Sequence, residues 1–260
     1  MPAGPQDVTK IKEDGWRQGS ALPSDLVDSL SREGLLQSAH SRDDLLIVLS
    51  HHCDVTSSSL AAEPFVELLS LKLVSKRDGN LDWGKNPRRY QFVDSRTSPL
   101  LIYEVSVHDR VLVPRDRLLG YKPDSARAID DETRSRLCRW VAARYTRSAF
   151  PDSFNERVGP AVEQIRPLFK RAGHLLTGVY LLVVDDELPE GESYRILLIA
   201  TMLDEDYRDA SARASAQELL DRVEAIMHDC DGVDIGLTEL RSEAELSLHE
   251  IRTLKRWDFD

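Results

Sequence analysis

The sequence predicts an α+β protein in three parts: a small, strongly bent β-barrel, a helical linker region, and a C-terminal α+β sandwich with a mainly antiparallel sheet. Three observations predict it. Short apolar segments separated by turn-forming residues fill positions 16–122, the pattern of a small barrel or bent sheet. Past Pro123-Asp124-Ser125 the apolar spacing becomes helical. The last third then runs strand, strand, helix, strand, helix, which implies helices covering one face of a sheet. The organisation expected is a flexible leader over 1–15, a β-rich domain over 16–122, and a helical segment plus α+β domain over 123–260.

Each element has its own signal. The leader is polar and loosely attached by expectation. Leu22, Leu26 and Leu30 give 23–36 a helical spacing. Leu45 to Ser50 is the first clear strand, followed by strands starting at Pro64, Arg89, Leu100 and Arg110. Their connections carry Ser57-Ser58-Ser59, Asp78-Gly79-Asn80 and Trp83-Gly84-Lys85-Asn86-Pro87. Leu137, Trp140, Val141 and Tyr145 mark a helix over 131–147. A second opens at Pro151 through Phe154, Val158, Val162, Ile165 and Phe169, and Pro160 and Pro167 inside it predict a kink or break. Strands over 177–184 and 194–201 form a hairpin around an acidic loop. A helix over 214–227, a strand over 233–240 and a helix over 243–254 complete the chain.

Composition narrows the function classes. The chain has 260 residues, 41% hydrophobic and 30% charged, and no run approaches the roughly 18 apolar residues of a membrane span. Cys53, Cys138 and Cys230 are odd in number, far apart and without a CxxC pair, which points to a reducing, cytoplasmic setting and away from a disulfide framework or zinc ribbon. The net charge of −11 is uneven: residues 185–260 hold 21 acidic and 8 basic residues, and 1–184 hold 24 and 26. The acidic end suits a basic protein partner, or is simply a well-solvated face, and the near-neutral remainder leaves nucleic-acid binding open.

The leading candidate site is Ser50-His51-His52-Cys53-Asp54, where five aliphatic residues end in two imidazoles, a thiol and a carboxylate. In extended chain His51 and Cys53 would share one side, and His52 and Asp54 the other. That split disfavours a Cys–His catalytic pair, and a tetrahedral metal site would need help from His40, His108 or Asp109. The plainer alternative has Asp54 capping the following Ser-rich turn and Cys53 buried as a small hydrophobe. A second candidate is the loop Trp83-Gly84-Lys85-Asn86-Pro87-Arg88-Arg89-Tyr90, in a stretch (76–96) with a local balance of +3. Cations interleaved with aromatics suit phosphate contact and base stacking, and an Arg pair can stabilise charge on a reacting phosphate. The plainer alternative is a charged hairpin anchored by its aromatics. The arginines of the 131–147 helix suit pairing with acidic residues, and Trp257 and Phe259 suit packing of the chain end onto its domain.

Three segments carry a family resemblance. Gln18-Gly19-Ser20 resembles an opening glycine turn, Leu46-Ile47-Val48-Leu49-Ser50 a central strand ending in Ser, and Val111-Leu112-Val113-Pro114-Arg115-Asp116-Arg117-Leu118 a late strand and the segment leading from it. Together they make residues 16–120 similar to the small-barrel toxins of the MazF/PemK type, leaving the C-terminal part without a counterpart. The resemblance implies a bent barrel that binds single-stranded RNA and cleaves it without metal or cofactor, the 2′-OH attacking its own phosphate. It needs an acid, a base and a cation. His51 or His52 would serve as acid or base, beside Asp54 in the same cluster, and the insertion carrying Lys85, Arg88 and Arg89 would supply the cation. Arg17, Trp83, Lys85 and Tyr90 would hold RNA, with Arg17 the candidate for the arginine such toxins carry near the first strand loop.

The expected function is thus RNA engagement, with or without toxin-like ribonuclease activity, under a C-terminal domain that regulates or builds a homo-oligomer. One alternative is a non-catalytic interaction protein of a bacterial regulatory or antiviral-defence assembly. The other is a metal-dependent hydrolase built on His51, His52 and Asp54.

Overall fold

The computed structural model describes residues 5–36, 41, 43–147, 149–183 and 186–258. The chain is α+β and divides into two compact units: Met1–Lys76 with Gln91–Val141, and Arg77–Tyr90 with Ala142–Asp260. This division differs from the boundary expected near residue 123. The first unit runs on to Val141, and residues 77–90, expected to be part of the β domain, belong to the second.

In the first unit the expected loose leader is instead an ordered helix, α1 (Pro5–Glu13). Val8 and Ile11, one helical turn apart, are both buried, and the following Trp16 is buried with its indole N–H donating to the Tyr121 carbonyl at 2.9 Å. A second helix, α2 (Ser24–Arg32), buries Leu26 and Leu30. The sheet is built on β2 (Phe65–Val74). Along one edge it pairs antiparallel with β1 (Leu45–Val48), and along the other with β4 (Leu101–Ser106) at Lys72–Val74 and with β5 (Arg110–Pro114) at Phe65–Leu69. The β3 strand (Arg89–Asp94) lies beyond β4. A run of aliphatics makes β1 buried on both faces, as its composition requires. The three pairings of β2 are antiparallel, and among the described residues no closed barrel forms.

The second unit holds a four-stranded sheet of β6 (Gly178–Val183), β7 (Tyr194–Met202), β8 (Val233–Ser242) and β9 (Lys255–Arg256), in the order β8-β7-β6-β9. The β6 and β7 strands form the expected antiparallel hairpin. Helix α7 (Ala210–His228) then carries the chain over to β8, which pairs with β7 in parallel. The β6–β7 and β6–β9 pairings are antiparallel as expected, and the β7–β8 pairing makes the sheet mixed: a helical crossover returns the chain to the end where β7 began, so β8 must run the same way. Helix α5 (Asp152–Ala172) runs through both prolines as one element, so of the kink or break they suggested the break does not occur. Each proline removes a single backbone bond, and the face of Phe154, Val158, Ala161, Ile165 and Phe169 is buried along the whole length.

The chain end is tied down as its composition suggested. Trp257 is buried and its N–H donates to the Val179 carbonyl at 2.8 Å, next to the two-residue β9 (Lys255–Arg256); Phe259 lies outside the described residues. Helix α8 (Leu248–Thr253) opens on a capping box between Ser247 and Glu250. The same Glu250 carboxylate accepts from Arg241 at 2.7 Å, and that bond, followed by the Ser247 donors, lowers its pKa to about 2. A folded pKa below the ordinary value near 4.5 means the clasp favours the folded state above that range and is lost only as pH falls through about 2. We expect the Glu250 carboxyl resonance to titrate with a midpoint near 2; a midpoint near 4.5 would show that the clasp does not form in solution.

Candidate functional site

The aliphatic run of β1 delivers His51-His52-Cys53-Asp54 to one end of the first unit, but not as extended chain. His52–Val55 form a one-turn helix, α3, with His51 as its N-cap. The Cys53 N–H donates to His51 Nδ1 at 3.4 Å. The expected alternation of sides is therefore corrected: in a helical turn successive residues fan out by about 100° rather than alternate. His51 caps this turn, and Cys53 is exposed rather than buried. His51 and His52 are both exposed, Asp54 is half-buried, and only Val55 of the turn enters the core.

What fixes this turn is Arg115, a residue the sequence did not single out for any role of its own. Its side chain is fully buried, 0% exposed. One terminal nitrogen donates to the carbonyls of Asp54, Val55 and Ser57 at 3.1, 3.0 and 2.7 Å, and the other to the Ser59 carbonyl at 2.8 Å. A guanidinium fork spent on four carbonyls holds the loop that carries the imidazoles. Nothing local could have revealed this, because the partners lie 56 to 61 residues away.

Two further segments meet the same end of the sheet. The Arg17–Ser20 turn closes on the end of β1: Gly19 N–H donates to the Val48 carbonyl at 2.8 Å and the Gln18 side-chain amide to the Leu49 carbonyl at 2.8 Å. Arg17 itself is exposed. On the other side, the N–H groups of Leu49 and Ser50 both reach the Glu67 carbonyl, and Glu67 N–H returns to Ser50 Oγ at 2.8 Å. Arg17, His51 and His52 thus come from two turns bonded to the last residues of β1.

The basic loop is built for a different purpose. Lys85 is 0% exposed, and its ammonium donates to the carbonyls of Gly173 and Leu176 at 2.9 and 2.8 Å. Burial pushes its pKa well below the usual lysine value, against the opposing pull of Asp82. Asp82 is itself buried, its carboxyl raised by desolvation and pulled back by Arg77, whose Nε lies 2.8 Å away. Trp83 is half-buried in a left-handed conformation (φ 58°), its indole N–H on the His174 carbonyl at 2.9 Å and its own carbonyl accepting from Arg256. Gly79 N–H donates to the Lys170 carbonyl, and a Cβ at position 79 would collide with the carbonyl of Phe169.

The RNA-binding roles expected of Lys85 and Tyr90 are thus corrected. A lysine with its donors on carbonyls in the interior offers nothing to a phosphate, and Tyr90, 2% exposed, has no open ring face for a base. Trp83 is committed to the same clasp. Arg88 and Arg89 are exposed, with their backbone N–H groups on Asn86 Oδ1, but they belong to the second unit while His51, His52, Asp54 and Arg17 belong to the first. Among the described residues no three His, Cys, Asp or Glu side chains converge to hold a metal ion; His40, a possible contributor by sequence, lies outside them. Among the described residues no helix is long and apolar enough to cross a membrane.

Comparison of the chain with family models, with curated proteins and with solved structures finds no match.

Proposed function

We propose that the first unit binds single-stranded RNA at the end of β1 and cleaves it without metal, with His51 and His52 dividing the acid and base work and Arg17 as the cation. In this scheme one imidazole takes the proton of a 2′-OH, whose oxygen bonds to the adjacent phosphorus. The 5′-oxygen leaves with a proton from the other imidazole, and Arg17 faces the charge that builds on the phosphate oxygens. The observation that carries the reading is the exposed His51-His52 pair at the start of a turn whose next carbonyls, from Asp54 to Ser59, are held by a fully buried arginine. Burying a guanidinium is costly, and here it orders a loop whose exposed members are reactive. The likeness to MazF/PemK-type toxins supports the same chemistry, with the cation moved from the Arg88–Arg89 loop to Arg17. The second unit then serves oligomerisation or control.

The test is cleavage of a mixed-sequence RNA in EDTA. Wild-type protein is expected to cut, the His51→Ala/His52→Ala double variant to lose about 100-fold or more in rate, and Arg17→Ala about tenfold or more. Cutting that requires added metal, or that survives loss of both imidazoles, would contradict the reading.

A second reading is favoured by where the charge lies. The second unit holds 26 acidic and 18 basic residues, against 19 and 16 in the first, and exposes Leu237, Leu248 and Ile251. Such a surface suits a basic protein partner of a regulatory or defence assembly. No binding of RNA at roughly 50 mM salt would leave this reading standing alone.

A further inference from the structure

One face of the first unit's sheet changes character along β2. Residues Leu69 and Leu71 on that face are fully buried, whereas Phe65, at the start of the strand, is 52% exposed. Across the ladder Phe65 pairs with Pro114 and Glu67 with Leu112, so Leu112, which is 63% exposed, is the diagonal neighbour of Phe65 on the same face. On the opposite edge Val48 pairs with Leu68, and continuing that register brings position 51 level with Phe65, where the chain leaves the ladder for the His51 cap. An exposed aromatic ring with an aliphatic beside it therefore starts at the end of the sheet that presents the imidazoles and the Arg17 turn.

We infer that Phe65, backed by Leu112, is a stacking platform for a base of single-stranded RNA, an inference that rests on the function proposed above. The unit's own charge argues for such a contact. With 19 acidic against 16 basic residues it offers RNA little diffuse attraction, which favours a contact independent of charge beside Arg17. Base–aromatic stacking is of that kind and tolerates any sequence. A second copy of the chain is the competing occupant of an exposed Phe–Leu pair, and the experiment separates the two.

The probe is a fluorescein-labelled, mixed-sequence single strand of 2′-O-methyl RNA, which can be bound but not cut, followed by anisotropy at roughly 50 mM salt. Phe65→Ala is expected to weaken binding about tenfold, Phe65→Trp to stay within about threefold of wild type, and a duplex of the same sequence to be indifferent to both changes. Phe65 is exposed, so neither variant disturbs the core, and an unchanged thermal melt checks this. Equal binding by wild type and Phe65→Ala would overturn the stacking role while leaving the RNA reading intact. A loss of dimer mass in Phe65→Ala, with unchanged RNA affinity, would assign the patch to self-association instead. Failure of the wild type to bind any RNA would remove the functional reading and this inference together.

Discussion

Arg115→Ala will lower the stability of the first unit by about 3 kcal/mol or more, the largest effect expected of any single change near the candidate site. The variant leaves the carbonyls of Asp54, Val55, Ser57 and Ser59 without their shared donor and opens a cavity where a whole guanidinium stood. Val55, the one residue of the α3 turn in the core, loses the bond that holds its backbone. Arg115→Lys keeps the charge but replaces a planar fork with a point donor, which cannot span four carbonyls, so it should recover less than half of the loss. Because the chain has two units, a single melting temperature is a poor reporter. Hydrogen exchange resolved by segment is better: protection should fall over 52–59 and 111–118 and hold over 178–202. A loss below about 1 kcal/mol would mean that the fork is not what orders the turn.

Lys85→Met is the second large effect, about 2–4 kcal/mol from the second unit. The thioether fills the lysine's space but leaves the Gly173 and Leu176 carbonyls buried without that donor, and Asp82 with Arg77 but without Lys85 beside it. The pH dependence gives a sharper test. Burial holds the folded-state pKa of Lys85 well below 10.5, so below 10.5 the unfolded chain binds the proton more tightly than the folded one. Stability of the wild type then rises with pH through that window, and the rise is absent in Lys85→Met. The deficit of the variant, measured by urea unfolding, should be larger at about pH 9.5 than at about pH 7. A deficit that shrinks with pH would show a lysine that remains charged in the fold.

These two residues mark what the sequence could and could not disclose. The hairpin at Gly178–Val183 and Tyr194–Met202, the α7 helix and β8 stand within a few residues of where periodicity puts them, because each buries one face of a regular element. Periodicity says nothing about strand direction, so the parallel pairing of β8 was not visible. It also fails on short elements: the four residues of α3 are too few to show a helical repeat, and an aliphatic run leading into them reads as continuing strand. The basic loop misled for a physical reason. Lysine beside tryptophan and arginine has the same composition whether it meets a phosphate or two carbonyls, and only the fold shows that the Lys85 donors are spent on Gly173 and Leu176. Arg17, named from the sequence only through a family resemblance, stands in a turn bonded to the end of β1, a placement that its own neighbours in sequence do not signal.

The most direct test is a histidine-selective NMR titration with the uncleavable single-stranded RNA. The chain has seven histidines, so each ring is resolvable. Binding at the end of β1 predicts that the His51 and His52 ring signals shift and saturate together, while His174, His228 and His249 stay in place, and that Arg17→Ala weakens the response. Stationary His51 and His52 signals at saturating RNA, or shifts confined to His174, His228 and His249, would contradict the account.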